Sequence, residues 1–331
     1  MLDGSADNKK SLGVLREELW RKHPILMRRA VLPTPAVQSA IAIACKAAFG
    51  QRDSVAFWAN PLSGKSSCVR SLGVVLARDF PGCGILVYEA KKKQVCAEGA
   101  FLEDVLDTMN FEVKKGRTLS AKRTQTMRAL YAHAAPRGHL FLIIDEAQEM
   151  AEGEFCWLKA IINWLVERDC CVTVLLFGQH ELLDLRQNLI TKGRSDLHAR
   201  YMAELYEFEN IHNEEELQVT FAACDSQSEY PANSGWSYTR FLWPEAFAHG
   251  FTLAKQASTA WLAFVKASPN TGCAFGVSMR WVARVLAELA DATKDEDRAS
   301  FGIDPTMWAT AIERAGYVDE KPLVRRKRRK K

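Results

Sequence analysis

The residues of this 331-residue chain best suited to chemistry are a Gly64-Lys65-Ser66 triplet and an adjacent carboxylate pair, Asp145-Glu146, 80 positions after the lysine. The segment Ala59-Asn60-Pro61-Leu62-Ser63-Gly64-Lys65-Ser66 fits the phosphate-binding pattern G-x-x-x-x-G-K-[ST] except at its first position, where alanine replaces glycine. In a loop of this kind, backbone N–H groups and the N-terminus of the next helix surround the phosphates. The lysine reaches the outer phosphates and the hydroxyl ligates magnesium. Asn60, Pro61, Leu62, Ser63, Gly64, Lys65, Ser66 and the following Ser67 are the candidate nucleotide ligands, with Ser66 on the metal. Alanine at position 59 is mild if that residue keeps ordinary backbone angles, and distorting if it does not.

Asp145 and Glu146 follow the apolar run His139 to Ile144. Two carboxylates delivered by a buried strand are unfavourable unless they face a site, because burying unpaired charge costs free energy. The expected roles are Asp145 on the magnesium ion and Glu146 polarising the attacking water. A further apolar run, Val172 to Phe177, ends in Gly178-Gln179-His180-Glu181-Leu182. Gln179 is the expected sensor of the γ-phosphate or the lytic water, and His180 its less favoured neighbour.

The elements that must position these groups can be read from periodicity. Ser54 to Trp58, Gly84 to Tyr88, Leu140 to Ile144 and Val172 to Phe177 are short apolar runs of the kind found in strands buried on both faces. Between them, Leu102, Val105, Leu106 and Met109, and then Trp157, Ile161, Trp164 and Leu165, repeat at helical spacing. Strands alternating with helices predict an α/β fold with a parallel sheet, its site at the carboxyl ends of the strands. After about residue 206 helical pattern dominates. The expected division is an arm over residues 1–35, an α/β nucleotide-binding core over 36–206, a helical lid over 207–317 and a basic tail over 318–331.

The formal charge is +4, but residues 325–331 are all basic, and removing those seven charges leaves −3 on the rest. That excludes a uniformly basic binder and leaves a neutral globule with a basic end. The nine cysteines form no C-x-x-C pair and are expected to be reduced and mostly buried, in a cytoplasmic setting. No apolar run approaches the roughly 20 residues of a membrane span, so no membrane partner is expected.

The order of the motifs resembles the AAA+ ATPases of the TnsC/TniB type, regulators of DNA transposition related to MuB and to ExeA-like ATPases. The resemblance is carried by the P-loop, Asp145-Glu146-Ala147-Gln148, Phe177-Gly178-Gln179-His180-Glu181-Leu182 and Leu197-His198-Ala199-Arg200-Tyr201. It covers roughly residues 35–290 and implies an AAA+ P-loop NTPase core with a helical C-terminal lid. It also implies ATP and Mg2+ as cofactors, and a homo-oligomer, ring or filament, with ATP at the subunit junctions. By position Arg200, or second Arg194, matches the arginine that reaches a neighbour's nucleotide. Arg280 in Gly276-Val277-Ser278-Met279-Arg280-Trp281 resembles the lid arginine.

The same resemblance gives two basic clusters, Lys91-Lys92-Lys93 and Lys114-Lys115 with Arg117, the expectation of duplex DNA contact. It further implies a transposase and a target-selection protein as partners, with the basic tail on DNA or on the transposase. The expected function is an ATP-gated regulator that assembles on DNA and directs a transposase. An ExeA-like assembly ATPase and a replication-initiator-type AAA+ protein are the alternatives.

Overall fold

The computed structural model describes residues 16–50, 54–111 and 118–318. The basic tail and Lys114, Lys115 and Arg117 lie outside the described residues. The four apolar runs form β1 (Ser54–Ala59), β2 (Gly84–Glu89), β3 (His139–Asp145) and β4 (Cys171–Gln179). A fifth strand, β5 (Leu205–Phe208), escaped the periodicity because only Phe208 of its four residues is buried. The sheet order is β2-β3-β4-β1-β5, and every pairing is parallel. Leu140 to Asp145 are all buried in the centre of this sheet, which is why their sequence is continuously apolar rather than alternating. Register sets Ala59 level with Gln179, and Glu89 level with Asp145, so the strand ends bearing the candidate residues share one edge.

Helices connect the strands: α1 (Pro35–Phe49) precedes β1, and α2 (Lys65–Asp79), α3 (Glu98–Thr108), α4 (Leu119–Ala134), α5 (Glu152–Val166), α6 (Glu181–Thr191) and α7 (Ser195–Tyr201) follow. Leu102, Val105 and Leu106 of α3 are buried as their spacing predicts. In α5 the buried face is Phe155, Leu158, Ile161, Ile162 and Leu165, turned from the one that the tryptophans marked. Trp157 and Trp164 sit at its margins against Phe101 and Tyr131, since a ring with a polar N–H suits a half-buried border.

The described residues form two compact units, Val37–Glu209 and a second made of residues 16–36 and 210–318. The second unit contains α8 (Glu214–Ser226), α9 (Tyr238–Leu242), α10 (Pro244–Ala248), α11 (Ala257–Ala267), α12 (Met279–Ala292) and α13 (Pro305–Arg314). The α8 helix starts at Glu214 because Asn213 caps it, accepting from the Glu216 N–H at 2.8 Å. The described part of the expected arm is built into this unit. Trp20, Ile25 and Leu32 join Phe221, Trp243, Phe264 and Trp308 in its core, and the basic residues between them stay outside.

His23 is completely buried there, stacked on Phe241 and edge-on to Tyr230 and Tyr238. Its Nδ1 accepts the Ile25 N–H at 3.2 Å. Burial pushes its pKa down to about 3, so the folded chain keeps the imidazole neutral where an unfolded chain protonates it below about 6.5. Stability is therefore expected to fall as pH drops through that window, by about 1.4 kcal/mol per pH unit from this group. Thermal denaturation at stepped pH checks it: His23→Phe should flatten the slope, and an unchanged slope would refute the assignment.

All nine cysteines are unpaired; Cys68, Cys170, Cys224 and Cys273 are buried and Cys96 is exposed. Among the described residues no helix is long and apolar enough to cross a membrane.

Candidate nucleotide site

The departure at position 59 proves harmless. Ala59 is the last residue of β1, fully buried and paired with Gln179 and Phe208, so it uses extended backbone that any residue adopts. The unusual conformations fall later in the loop, at Leu62 (φ 69°) and Gly64 (φ 103°, ψ 9°). At Gly64 the left-handed turn is free of side-chain cost, while at Leu62 it costs about 1 kcal/mol. These two turns aim the loop backbone at the start of α2, whose first N–H groups have no partner within the helix. Ser63 is 2% exposed, and its hydroxyl has no hydrogen-bond partner. An orphaned buried hydroxyl beside free helix N–H groups suits an anionic oxygen ligand.

Lys65, the first residue of α2, is buried, and its Nζ contacts Asp145 Oδ1 and, at 2.7 Å, Glu146 Oε1. Asp145 Oδ1 also accepts the Glu146 N–H at 2.9 Å. Glu146 itself takes a left-handed conformation (φ 53°, ψ 38°), opening the single helical turn Ala147–Glu149. Its Oε2 accepts from Gln148 Nε2 at 2.6 Å and from Gln179 Nε2 at 3.0 Å. Burial raises the pKa of Glu146, but the hydrogen bonds from Lys65, Gln148 and Gln179 outweigh it, leaving the carboxyl below its ordinary value. The group is thus a carboxylate at neutral pH, able to accept a proton from water.

The P-loop, Asp145, Glu146 and Gln179 are brought together as their spacing suggests. His180 is not part of this cluster; it packs edge-on to Trp58. Asp145 and the exposed Ser66 supply hard oxygen donors. One carboxylate and one hydroxyl, completed by phosphate and water oxygens, suit Mg2+. Gln148 was not singled out by its sequence, although a polar residue two positions after a site glutamate was the available signal.

The outlying candidates separate into tied and untied side chains. Lys93 is held by Asp104 and by the buried Glu154, both at 2.7 Å, over the Phe101 ring. Lys93 thus has its own ion-pair partners within the fold, whereas Lys91 and Lys92 are exposed. Arg194 is tied to Glu152 and Asp196, and donates to Cys156 Sγ at 3.1 Å. Arg200, on α7, takes part in no ion pair among the described residues, and its carbonyl accepts from Ser54 Oγ. Arg280 is an exposed residue of α12 in the second unit, 5.5 Å from the Trp281 ring centre, with Arg284 at 5.3 Å.

A family model described as an AAA domain matches residues 50–185. No curated protein matches the chain. Among solved structures, the Aeropyrum pernix ORC2 protein in ADPNP–ADP complexes is similar at 11% identity, over 88% of this chain and 71% of that one, with a TM-score of 0.55. The Aeropyrum pernix ORC1 protein in complex with DNA is similar at 11% identity, over 88% and 69% of the chains, with a TM-score of 0.52. Such identities speak for the fold alone. With five parallel strands, helices around them and a loop of the P-loop pattern leading into α2, the chain has an AAA+ P-loop NTPase fold, and its residues 50–185 are similar to the AAA-domain family.

Proposed function

We propose that the protein is an ATPase whose ATP-bound form assembles on duplex DNA, and that hydrolysis dissolves the assembly. The observation that carries the enzymatic part is the convergence of Lys65, Asp145, Glu146 and Gln179 behind the P-loop. When bound, Mg2+ neutralises phosphate charge. Ser66 and Asp145 would hold it. Lys65 serves the outer phosphates, Glu146 takes the proton of the attacking water, and Gln179 orients that water or the γ-phosphate.

Arg200 is our choice for an arginine given to a neighbouring subunit, because among the described residues it has no ion pair while Arg194 has two. Arg280 is our choice for a lid arginine. Lys91 and Lys92 are the expected DNA contacts: a few phosphate contacts per subunit become a strong, salt-sensitive grip when subunits align.

The finer role we propose is regulation of transposition in the cytoplasm, with a transposase and a target-selection protein as partners. It rests on the motif order Asp145-Glu146-Ala147-Gln148 and Gly178-Gln179-His180-Glu181-Leu182. A replication-initiator-type role is the second reading, favoured by the likeness to ORC1 and ORC2.

The test is duplex DNA binding with ATP, a slowly hydrolysed analogue and ADP, with the products imaged. Binding that ignores the nucleotide would end the gated-assembly proposal. Replacing Lys91 and Lys92 by alanine should weaken binding on all sequences and reduce the salt slope of log K by about one per lysine. Lys93→Ala should instead lower the melting temperature; a salt slope that responds to Lys93 alone would reverse the assignment. Stimulation of a transposase, against loading at an origin, separates the two roles.

A further inference from the structure

We propose that Gln148 is a positioning residue for hydrolysis: its side-chain amide ties the end of β4 to the Glu146 carboxylate, so that Glu146 and Gln179 are placed as one unit. The proposal rests on the ATPase reading above and assigns a role that reading does not contain.

The amide is used at both ends. Nε2 donates to Glu146 Oε2 at 2.6 Å, and Oε1 accepts the Gln179 backbone N–H at 2.9 Å. Gln179 closes the ring by donating from its own Nε2 to the same Glu146 oxygen at 3.0 Å. Only one orientation of the amide satisfies both neighbours, because a carboxylate needs a donor and a backbone N–H needs an acceptor. Space at β4 is shaped to the same group. A Cβ on Gly178 would stand 2.8 Å from Gln148 Oε1, so a residue with a side chain at 178 would push the amide away.

The tether matters because of where Glu146 sits. Its left-handed backbone starts a turn of only three residues, Ala147–Glu149, too short to fix a side chain by helical packing. Lys65 holds the other oxygen, Oε1. Lys65, however, is also the group expected to reach phosphate, so its hold on Glu146 competes with its work on the ligand. Gln148 and Gln179 remain attached to the carboxylate whichever way the lysine turns. A glutamate acting on water must be held to within a fraction of an ångström, and misplacement by about 1 Å can cost about 100-fold in rate.

The experiment compares wild type, Lys65→Ala, Gln148→Ala and Gln148→Glu in the full chain. Phosphate release is followed between about pH 5 and 9, alongside the affinity for a fluorescent ATP analogue and the melting temperature. Gln148→Ala should lower kcat by about 10- to 100-fold, with analogue affinity within about two-fold of wild type. Gln148→Glu keeps the volume and the acceptor for the Gln179 N–H, so it guards against a folding defect, but it sets a second carboxylate against Glu146. It should lower kcat and move the acid limb of the rate profile to higher pH, because a like charge disfavours ionisation.

A purely structural Gln148 would leave the acid limb in place and lower kcat only along with the melting temperature, which would overturn the proposal. So would a kcat for either variant within about two-fold of wild type. If wild type releases no more phosphate than Lys65→Ala, the ATPase reading itself fails and takes the tether with it. Active wild type with active Gln148 variants sinks the tether alone.

Discussion

Glu146→Gln is expected to reduce ATP turnover by about 100- to 10,000-fold while leaving ATP binding in place. The carboxylate is held ionised by Lys65, Gln148 and Gln179, which is the state a proton acceptor must have. A glutamine of the same shape cannot accept that proton. Nor can it face all three donors: with its oxygen toward Lys65 its amide hydrogens meet Gln148 and Gln179, and with the oxygen reversed they meet the ammonium. The substitution therefore removes the proposed base and also loosens its surroundings, so a modest fall in melting temperature should accompany the loss. Phosphate release measured beside equilibrium ATP binding decides the point; turnover within a few-fold of wild type would assign the base elsewhere. On DNA, the variant should hold the assembled state longer, and faster disassembly would contradict a timing role for hydrolysis.

Lys65→Ala is expected to act twice. It removes the cation proposed to reach phosphate, which should weaken ATP binding by about 10- to 100-fold, the worth of a charge-assisted hydrogen bond. It also strips the counter-charge from Asp145 and Glu146, whose side chains are 12% and 26% exposed. Breaking a fully buried ion pair costs about 3–5 kcal/mol. Screening at these partly open carboxylates reduces the expected loss of stability to about 1–3 kcal/mol.

The pH dependence follows from the sign of the Glu146 shift. Its folded pKa is lowered, so its contribution to stability is present above the unfolded value of about 4.3 and lost as pH falls through the folded one. Without Lys65 that loss should begin at a higher pH. Urea denaturation of wild type and variant at pH 7 and at mildly acidic pH tests both statements. An unchanged midpoint at pH 7 would mean that the lysine contributes nothing to the fold.

The parts of this molecule legible in its sequence are those where burial is uniform along the chain. Leu140 to Asp145 are buried without a break, so an apolar run ending in carboxylates announces both the strand and the candidate site. Where burial alternates or is shared, the sequence misleads. Leu205 to Phe208 carries a strand with two exposed residues and no apolar run. Trp20, His23 and Ile25 lie among basic residues whose charge hides the inward-facing ones. Lys93 belongs to a run of three lysines, but its partners Asp104 and Glu154 come from other elements, and only folding shows that it is tied while Lys91 and Lys92 are not. Gln148 was hidden for the same reason, since the N–H that it accepts belongs to Gln179, 31 positions away.

The make-up of the second unit bears on how the chain reaches this structure during synthesis. Its core brings Trp20 against Phe241, and the Tyr230 hydroxyl donates to the Leu19 carbonyl 211 positions earlier. A ribosome releases the chain from its N-terminus at about 5–20 residues per second. Trp20 must therefore wait roughly ten seconds or more before the helices that cover it exist. β1 waits as well, because its partners β4 and β5 come more than a hundred positions later. During that interval Trp20, Ile25 and the β1 strand are uncovered together, which makes them the segments most exposed to misassembly when synthesis is fast.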